Sequence, residues 1–152
     1  MSVFRMGRMA MVVTVAMACQ SDGVSGPIRD FAYSAATLSC GPAGGPATAF
    51  YLAPEPVGSI EPPKPFVRIY VAAAVEQLSG HAWQLSVGSS EGAAWLHSLD
   101  GSYETATSGY MIVSSVGSDR TVLGSVYLEF PDAGRVSGQF SATWIPGTVL
   151  CI

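Results

Sequence analysis

Residues 121–145 read TVLGSVYLEFPDAGRVSGQFSATWI, and their side chains alternate with a period of two. Within 135–145, Val136, Gly138, Phe140, Ala142 and Trp144 share one face, while Arg135, Ser137, Gln139, Ser141 and Thr143 share the other. Successive side chains of a strand point to opposite faces, so this stretch reads as a half-buried strand. Just upstream, Val122, Gly124, Val126, Leu128 and Phe130 fall on one face, with Tyr127 and Glu129 on the other. Pro131-Asp132-Ala133-Gly134 supplies the turn, and the two strands form a hairpin.

The same period continues outward. Val67, Ile69, Val71, Ala73 and Val75 alternate with Arg68, Tyr70 and Glu76; Trp83, Leu85 and Val87 alternate with Ala82, Gln84 and Ser86. Turn signals recur at strand spacing: Ser79-Gly80, residues 88–92, Asp100-Gly101, Ser108-Gly109 and residues 117–120. A further strand is expected over 47–53, and residues 28–39 read as an edge strand. Residues 54–65 hold five of the ten prolines and read as a loop. The expected class is all-β, an antiparallel β-sandwich of about seven to nine strands, with a small β-barrel as second choice.

The chain has 152 residues, of which 49% are hydrophobic and 12% charged, with a formal net charge of −4. That length fits one domain. The charged fraction lies far below the roughly 25% usual in soluble domains, yet no apolar run reaches the roughly 18 residues of a membrane span. At the N-terminus, Arg5 and Arg8 precede an uncharged apolar stretch that ends in Ala16-Met17-Ala18, so residues 1–18 read as a secretory signal peptide. Without them, five basic residues stand against eleven acidic ones, a balance of −6 that makes nucleic acid an unsuitable partner.

Ala16-Met17-Ala18-Cys19 resembles the lipobox of bacterial lipoproteins, in which the cysteine becomes the lipidated first residue. That resemblance implies lipid on Cys19, attachment to a membrane through it, and a place in the bacterial cell envelope facing the periplasm or the cell surface. Ala16-Met17-Ala18 also satisfies an ordinary signal peptidase, which leaves secretion as the alternative. Residues 19–26 then form the anchor cysteine and a linker, and residues 27–152 the β domain. With Cys19 carrying lipid, Cys40 and Cys151 remain, and an oxidising compartment pairs them as a disulfide. On the chain-entropy account such a long loop closure is worth about 4 to 5 kcal/mol.

Three short motifs carry a wider resemblance. Gly101-Ser102-Tyr103, Gly124-Ser125-Val126 and Arg135-Val136-Ser137-Gly138-Gln139-Phe140 resemble the G-x-Y, G-x-V and V-x-G-x-F pattern of small bacterial lipid-anchored β-sandwich lipoproteins of unknown function. The resemblance covers about the last fifty residues. It implies a fold and an envelope address, and brings no catalytic residue with it.

Candidate chemistry is sparse. Residues 88–92, GSSEG, match G-x-S-x-G, with His97 and Asp100 following. A nucleophile elbow needs a strand-to-helix turn in a parallel α/β sheet, whereas this pattern is antiparallel, and a hairpin turn explains the same residues. A two-residue turn at Asp100-Gly101 sets His97 directly across from Glu104 as a polar pair. One imidazole and one carboxylate are too few to hold a metal, so no metal is expected there. The glycine-rich stretch 40–46 lacks a lysine and opens no helix, so it is no phosphate loop, and no cofactor is expected. Outward-facing Arg68 and Tyr70, with Tyr127 and Glu129, make a candidate binding face. The expected function is therefore a non-catalytic binding module or accessory subunit of a membrane-associated complex, with a protein partner at the envelope. One alternative is a small hydrolytic or metal-dependent enzyme near His97. Another is a carbohydrate or small-ligand binder using Trp83, Trp95 or Trp144, although alternation assigns Trp83 and Trp144 to the core.

Overall fold

The computed structural model describes residues 23–25, 31–41, 44–58 and 61–147. Among them are ten strands: β1 (Val24–Ser25), β2 (Tyr33–Cys40), β3 (Pro46–Ala53), β4 (Phe66–Val71), β5 (Ala82–Gln84), β6 (Gly92–His97), β7 (Tyr103–Thr105), β8 (Ser108–Val116), β9 (Val122–Phe130) and β10 (Gly134–Trp144). A single 3-10 turn, Val75–Gln77, is the only helical element among the described residues. The strands join in the order β5-β8-β9-β10-β2-β3-β4-β6-β7, with β1 paired to β10. The fold is all-β as expected. Its one continuous sheet curls into a half-barrel, an arrangement in which the sandwich and barrel expectations meet.

The hairpin of residues 121–145 is present in the expected register. β9 and β10 pair from Gly134 opposite Phe130 to Ala142 opposite Val122. Gly134 takes φ +78°, the left-handed turn conformation that glycine adopts without a Cβ clash. Val122, Val126, Leu128 and Phe130 are buried, as are Val136, Phe140 and Ala142. They meet Met111 of β8 and, from the other half of the sheet, Phe50, Leu52, Val67, Ile69 and Leu96 in one core, where the Phe50 and Phe140 rings pack edge-on at 5.8 Å. Trp83 and Trp144 are partly buried against this core. Val87, expected on the inner face, is instead 68% exposed, because β5 ends at Gln84 and the chain turns away at Ser86–Ser89.

The all-antiparallel expectation is corrected at one junction. β10 and β2 run parallel, with Thr143 opposite Ala35 and Trp144 opposite Ala36. The Ile145 N–H donates to the Ala36 carbonyl at 2.8 Å, and the Thr37 hydroxyl donates to the Ile145 carbonyl at 2.9 Å. For the same reason the strand expected at an edge is internal: β2 lies between β10 and β3. Inside the expected linker, Val24 and Ser25 pair with Gly138 and Ser137 on β10.

A second, smaller cluster lies on the outer side of the sheet. Ala49, Tyr51, Ala53 and Phe66 are buried there, with Val57 packed against them. β3 is thus buried on both faces, because the proline-rich segment after it folds back over β3 and β4, burying Pro62 and Pro65. The outer side of β6 and β7 is less covered: Trp95 and His97 are half-buried and Tyr103 is exposed.

Candidate functional site

On the outer face of β3, β4, β6 and β7, strand alternation lines up two rows of side chains. Phe66, His97 and Tyr103 form the first row, each directly opposite the next. Tyr51, Arg68, Trp95 and Thr105 form the second. Their inward neighbours Val67, Ile69, Ala94 and Leu96 are completely buried, which fixes the outward direction of the rows. The His97 ring stacks on Phe66 at 4.5 Å with an interplanar angle of 16°, and lies 5.9 Å from Tyr103. The Arg68 guanidinium carbon stands 6.0 Å from the centre of the Trp95 ring.

Between these side chains is a cleft of about 210 Å³ lined by Arg68, Trp95, His97 and Tyr103. A second hollow of about 180 Å³, lined by Tyr51, Glu61, Phe66, Arg68 and His97, shares two of its walls with the first. Arg68 and His97 therefore stand at the junction. The Arg68 Nε atom is buried and has no hydrogen-bond partner, at a cost of about 1 to 3 kcal/mol. Arg68 therefore meets anything in the cleft through its terminal nitrogens. A larger hollow of about 410 Å³ lies over β8, β9 and β10, but it is lined by Ile112, Ser114, Leu123, Gly124, Ser125, Gln139 and Phe140, with no charged group.

Burial pushes the His97 imidazole below its ordinary value; Lys64 and Arg68 push the same way, and Glu61 opposes them. Burial also raises the Tyr51 hydroxyl, with Arg68 pulling it back and Glu61 adding to the rise. The imidazole shift sets a pH dependence of stability. As the pH falls below about 6.5, the unfolded chain takes up the His97 proton before the folded chain does, so stability present above that pH is lost on acidification. Glu91, Asp100, Asp119 and Glu129 all have lowered carboxyl values, so their loss comes only below the ordinary carboxylate range. Urea midpoints should therefore fall between about pH 7.5 and 5.5 in the wild type, and fall less in His97→Gln. Equal slopes in the two proteins would remove His97 as the cause.

The expected His97–Glu104 pair is not formed. His97 lies opposite Tyr103, and Glu104 lies opposite Leu96. The hairpin closes not with two residues but with three, Leu99, Asp100 and Gly101: Ser98 N–H donates to the Ser102 carbonyl at 2.9 Å, and Gly101 takes φ +90°. One additional loop residue shifts the register by one, which turns Glu104 to the other face. There its carboxylate accepts from the Asp132 and Ala133 N–H groups at 3.0 and 3.2 Å and ties this strand to the β9–β10 turn.

The four-residue binding face divides in two. Arg68 and Tyr70 lie on β4, whereas Tyr127 and Glu129 lie on β9, with β10, β2 and β3 between them. Tyr127 donates to Glu129, Arg135 Nε donates to Glu129 at 2.9 Å, and the Tyr127 ring stacks on Tyr110 at 5.6 Å, so this second group satisfies itself. Ser90 lies before β6 and His97 ends it, with the strand's own length of about 17 Å between them, which leaves G-x-S-x-G as a turn. There Glu91 accepts from the Gln84 N–H at 2.7 Å. Among the described residues, no three His, Cys, Asp or Glu side chains converge to hold a metal ion. Cys19 and Cys151 lie outside the described residues, as does the signal segment; Cys40 ends β2 opposite Pro46.

Trp95, Tyr103, Tyr51 and Glu61 were not singled out together from the sequence. The signal for Trp95 was available, since it and His97 alternate with Ala94 and Leu96. Comparison with family models, curated proteins and solved structures gave no match.

Proposed function

We propose that the chain is a non-catalytic binding module of a bacterial cell envelope, anchored by lipid on Cys19 and acting as an accessory subunit of a membrane-associated complex. The observation that carries the binding part is the cleft at Arg68, where a guanidinium stands among aromatic walls. A binding surface needs donors and rings awaiting a partner, whereas hydrolysis needs a nucleophile within reach of a base. The envelope part rests on Arg5, Arg8 and the Ala16-Met17-Ala18-Cys19 stretch. A small-ligand binder is the second reading, favoured by the outward placement of Trp95 in the cleft.

A Cys40–Cys151 disulfide belongs to the same proposal. A Cβ at Gly147 would stand 3.1 Å from the Thr37 hydroxyl, so the chain leaves the described region beside β2. From Thr37 to Cys40 is about 10 Å of strand, and four residues from Gly147 reach up to about 14 Å. The two thiols are within each other's range.

Membrane fractionation followed by mass mapping without reduction tests both covalent features. The expected result is a membrane-bound chain whose N-terminal peptide begins at a lipidated Cys19, with the Cys40 and Cys151 peptides linked. A soluble chain without lipid overturns the anchor, and free thiols at both positions overturn the bridge. Co-purification from solubilised membranes should return a stoichiometric protein partner; a chain that elutes alone overturns the accessory-subunit role.

A further inference from the structure

We infer that the Arg68 cleft is a binding site for a small carboxylate carried on a single ring, with Arg68 as the anchor of the carboxylate and Trp95 and Tyr103 as the walls for the ring. The inference rests on the binding-module reading and names its ligand. Its first support is the Arg68 guanidinium on the wall of the cleft, whose terminal nitrogens are the open donors while Nε is closed to solvent. A planar guanidinium pairs best with an acceptor that offers two coplanar oxygens, and a carboxylate meets both terminal nitrogens at once. A single-oxygen acceptor would use only one of the two donors.

The local charge points the same way. The chain as a whole is acidic, with a net charge of −4. Around the cleft, however, two cations stand against one anion: of the three, Glu61 acts most strongly on His97, and Lys64 and Arg68 oppose it. Glu61 lines the adjoining hollow rather than the cleft itself, so an anion seated between Arg68, Trp95 and Tyr103 has the arginine as its nearest charge. Because the fork is partly withdrawn from water, its hydrogen bonds to an anion are worth more than at an open surface.

The walls set the rest of the ligand. Trp95 and His97 are half-buried and Tyr103 is exposed, which leaves ring faces and edges on the open side of the strand rows. Such surfaces take either an aromatic ring or the apolar face of a sugar ring. A hollow of about 210 Å³ has room for one ring and its carboxylate, with the substituents of a larger ring entering the adjoining space beside Phe66 and Glu61. Aromatic acids and acidic sugars share this chemistry, and the measurement below separates them.

The test is isothermal titration calorimetry on the purified full chain, with benzoate and glucuronate as probes and benzamide and glucose as their neutral counterparts. At least one acid should bind at least about tenfold more tightly than its neutral counterpart, the difference a charge-assisted bidentate pair provides. Heat from benzoate alone identifies an aromatic acid, and heat from glucuronate alone an acidic sugar. Arg68→Gln should weaken the acid at least about tenfold, Arg68→Lys should restore part of the loss, and Glu61→Gln should tighten binding by removing the opposing charge. Thermal melting of each variant separates lost recognition from lost folding, and the opposite sign expected for Glu61→Gln is one that a merely structural role for these residues would not produce. The inference is overturned if neither acid gives heat, if the neutral compounds bind as tightly as the acids, or if Arg68→Gln melts like the wild type and binds equally well. If neither acid binds but a protein partner still co-purifies, the ligand assignment falls and the binding-module reading stands.

Discussion

Phe50→Ala should lower the stability of the domain by about 3 to 5 kcal/mol, the cost of removing a fully buried aromatic ring that its surroundings cannot refill. Phe50 has no exposed surface and sits on β3, between β2 and β4. Its ring meets Phe140 edge-on at 5.8 Å, linking the two halves of the curled sheet across the core. The neighbours around the vacated space are strand residues held by hydrogen-bonded ladders on both sides, so they have little freedom to collapse into it. Domains of this size are stable by only about 5 to 15 kcal/mol, so the variant should lose a large fraction of its urea midpoint. A loss under about 1 kcal/mol would mean that the site repacks and that Phe50 is not the centre of the core.

The second large effect is expected at Gly92. This glycine is buried at the start of β6, opposite Val71. A Cβ placed there would stand 2.3 Å from the Tyr70 carbonyl oxygen and 2.8 Å from the Leu85 side chain. Leucine could turn aside, but a backbone carbonyl within a ladder moves only with its strand. Gly92→Ala should therefore cost about 2 to 3 kcal/mol, near the upper end for overpacking, and Gly92→Val more. β4 and β6 carry Arg68 and Trp95, so Gly92→Ala should also weaken any ligand held between them. Gly45→Ala is the matching control: nothing lies within 4 Å of a Cβ there, and its melting temperature should stay near that of the wild type. Equal melting of the Gly92 and Gly45 variants would show that β4 and β6 separate freely at this point.

Much of the fold was legible because its governing pattern is local. The inward and outward sides of β4, β9 and β10 follow from a two-residue period, and the β9–β10 register follows from a turn with glycine at its left-handed position. What failed was the part that depends on counting one residue in a turn or on a partner distant in the chain. Asp100-Gly101 reads as a two-residue hairpin loop, yet the structure closes it with three residues, and that difference moves Glu104 from beside His97 to the β9–β10 turn. Val87 continues an alternation that the chain abandons after β5. No local signal distinguishes an edge strand at 28–39 from one internal to the sheet, because that is decided by the end of β10, more than a hundred residues later.

Alone, the sequence determined the class of the fold, the hairpin at its centre and the outward direction of Arg68, since side-chain alternation and turn chemistry act over a few residues. The tertiary structure alone decided that β10 returns in parallel beside β2, that the proline-rich segment covers β3, and that Arg68 meets Trp95, His97 and Tyr103 while its Nε stays unpaired. Those outcomes depend on which strands become neighbours. Pairing over long separations is set by how the whole sheet buries its apolar face, and no local pattern records it.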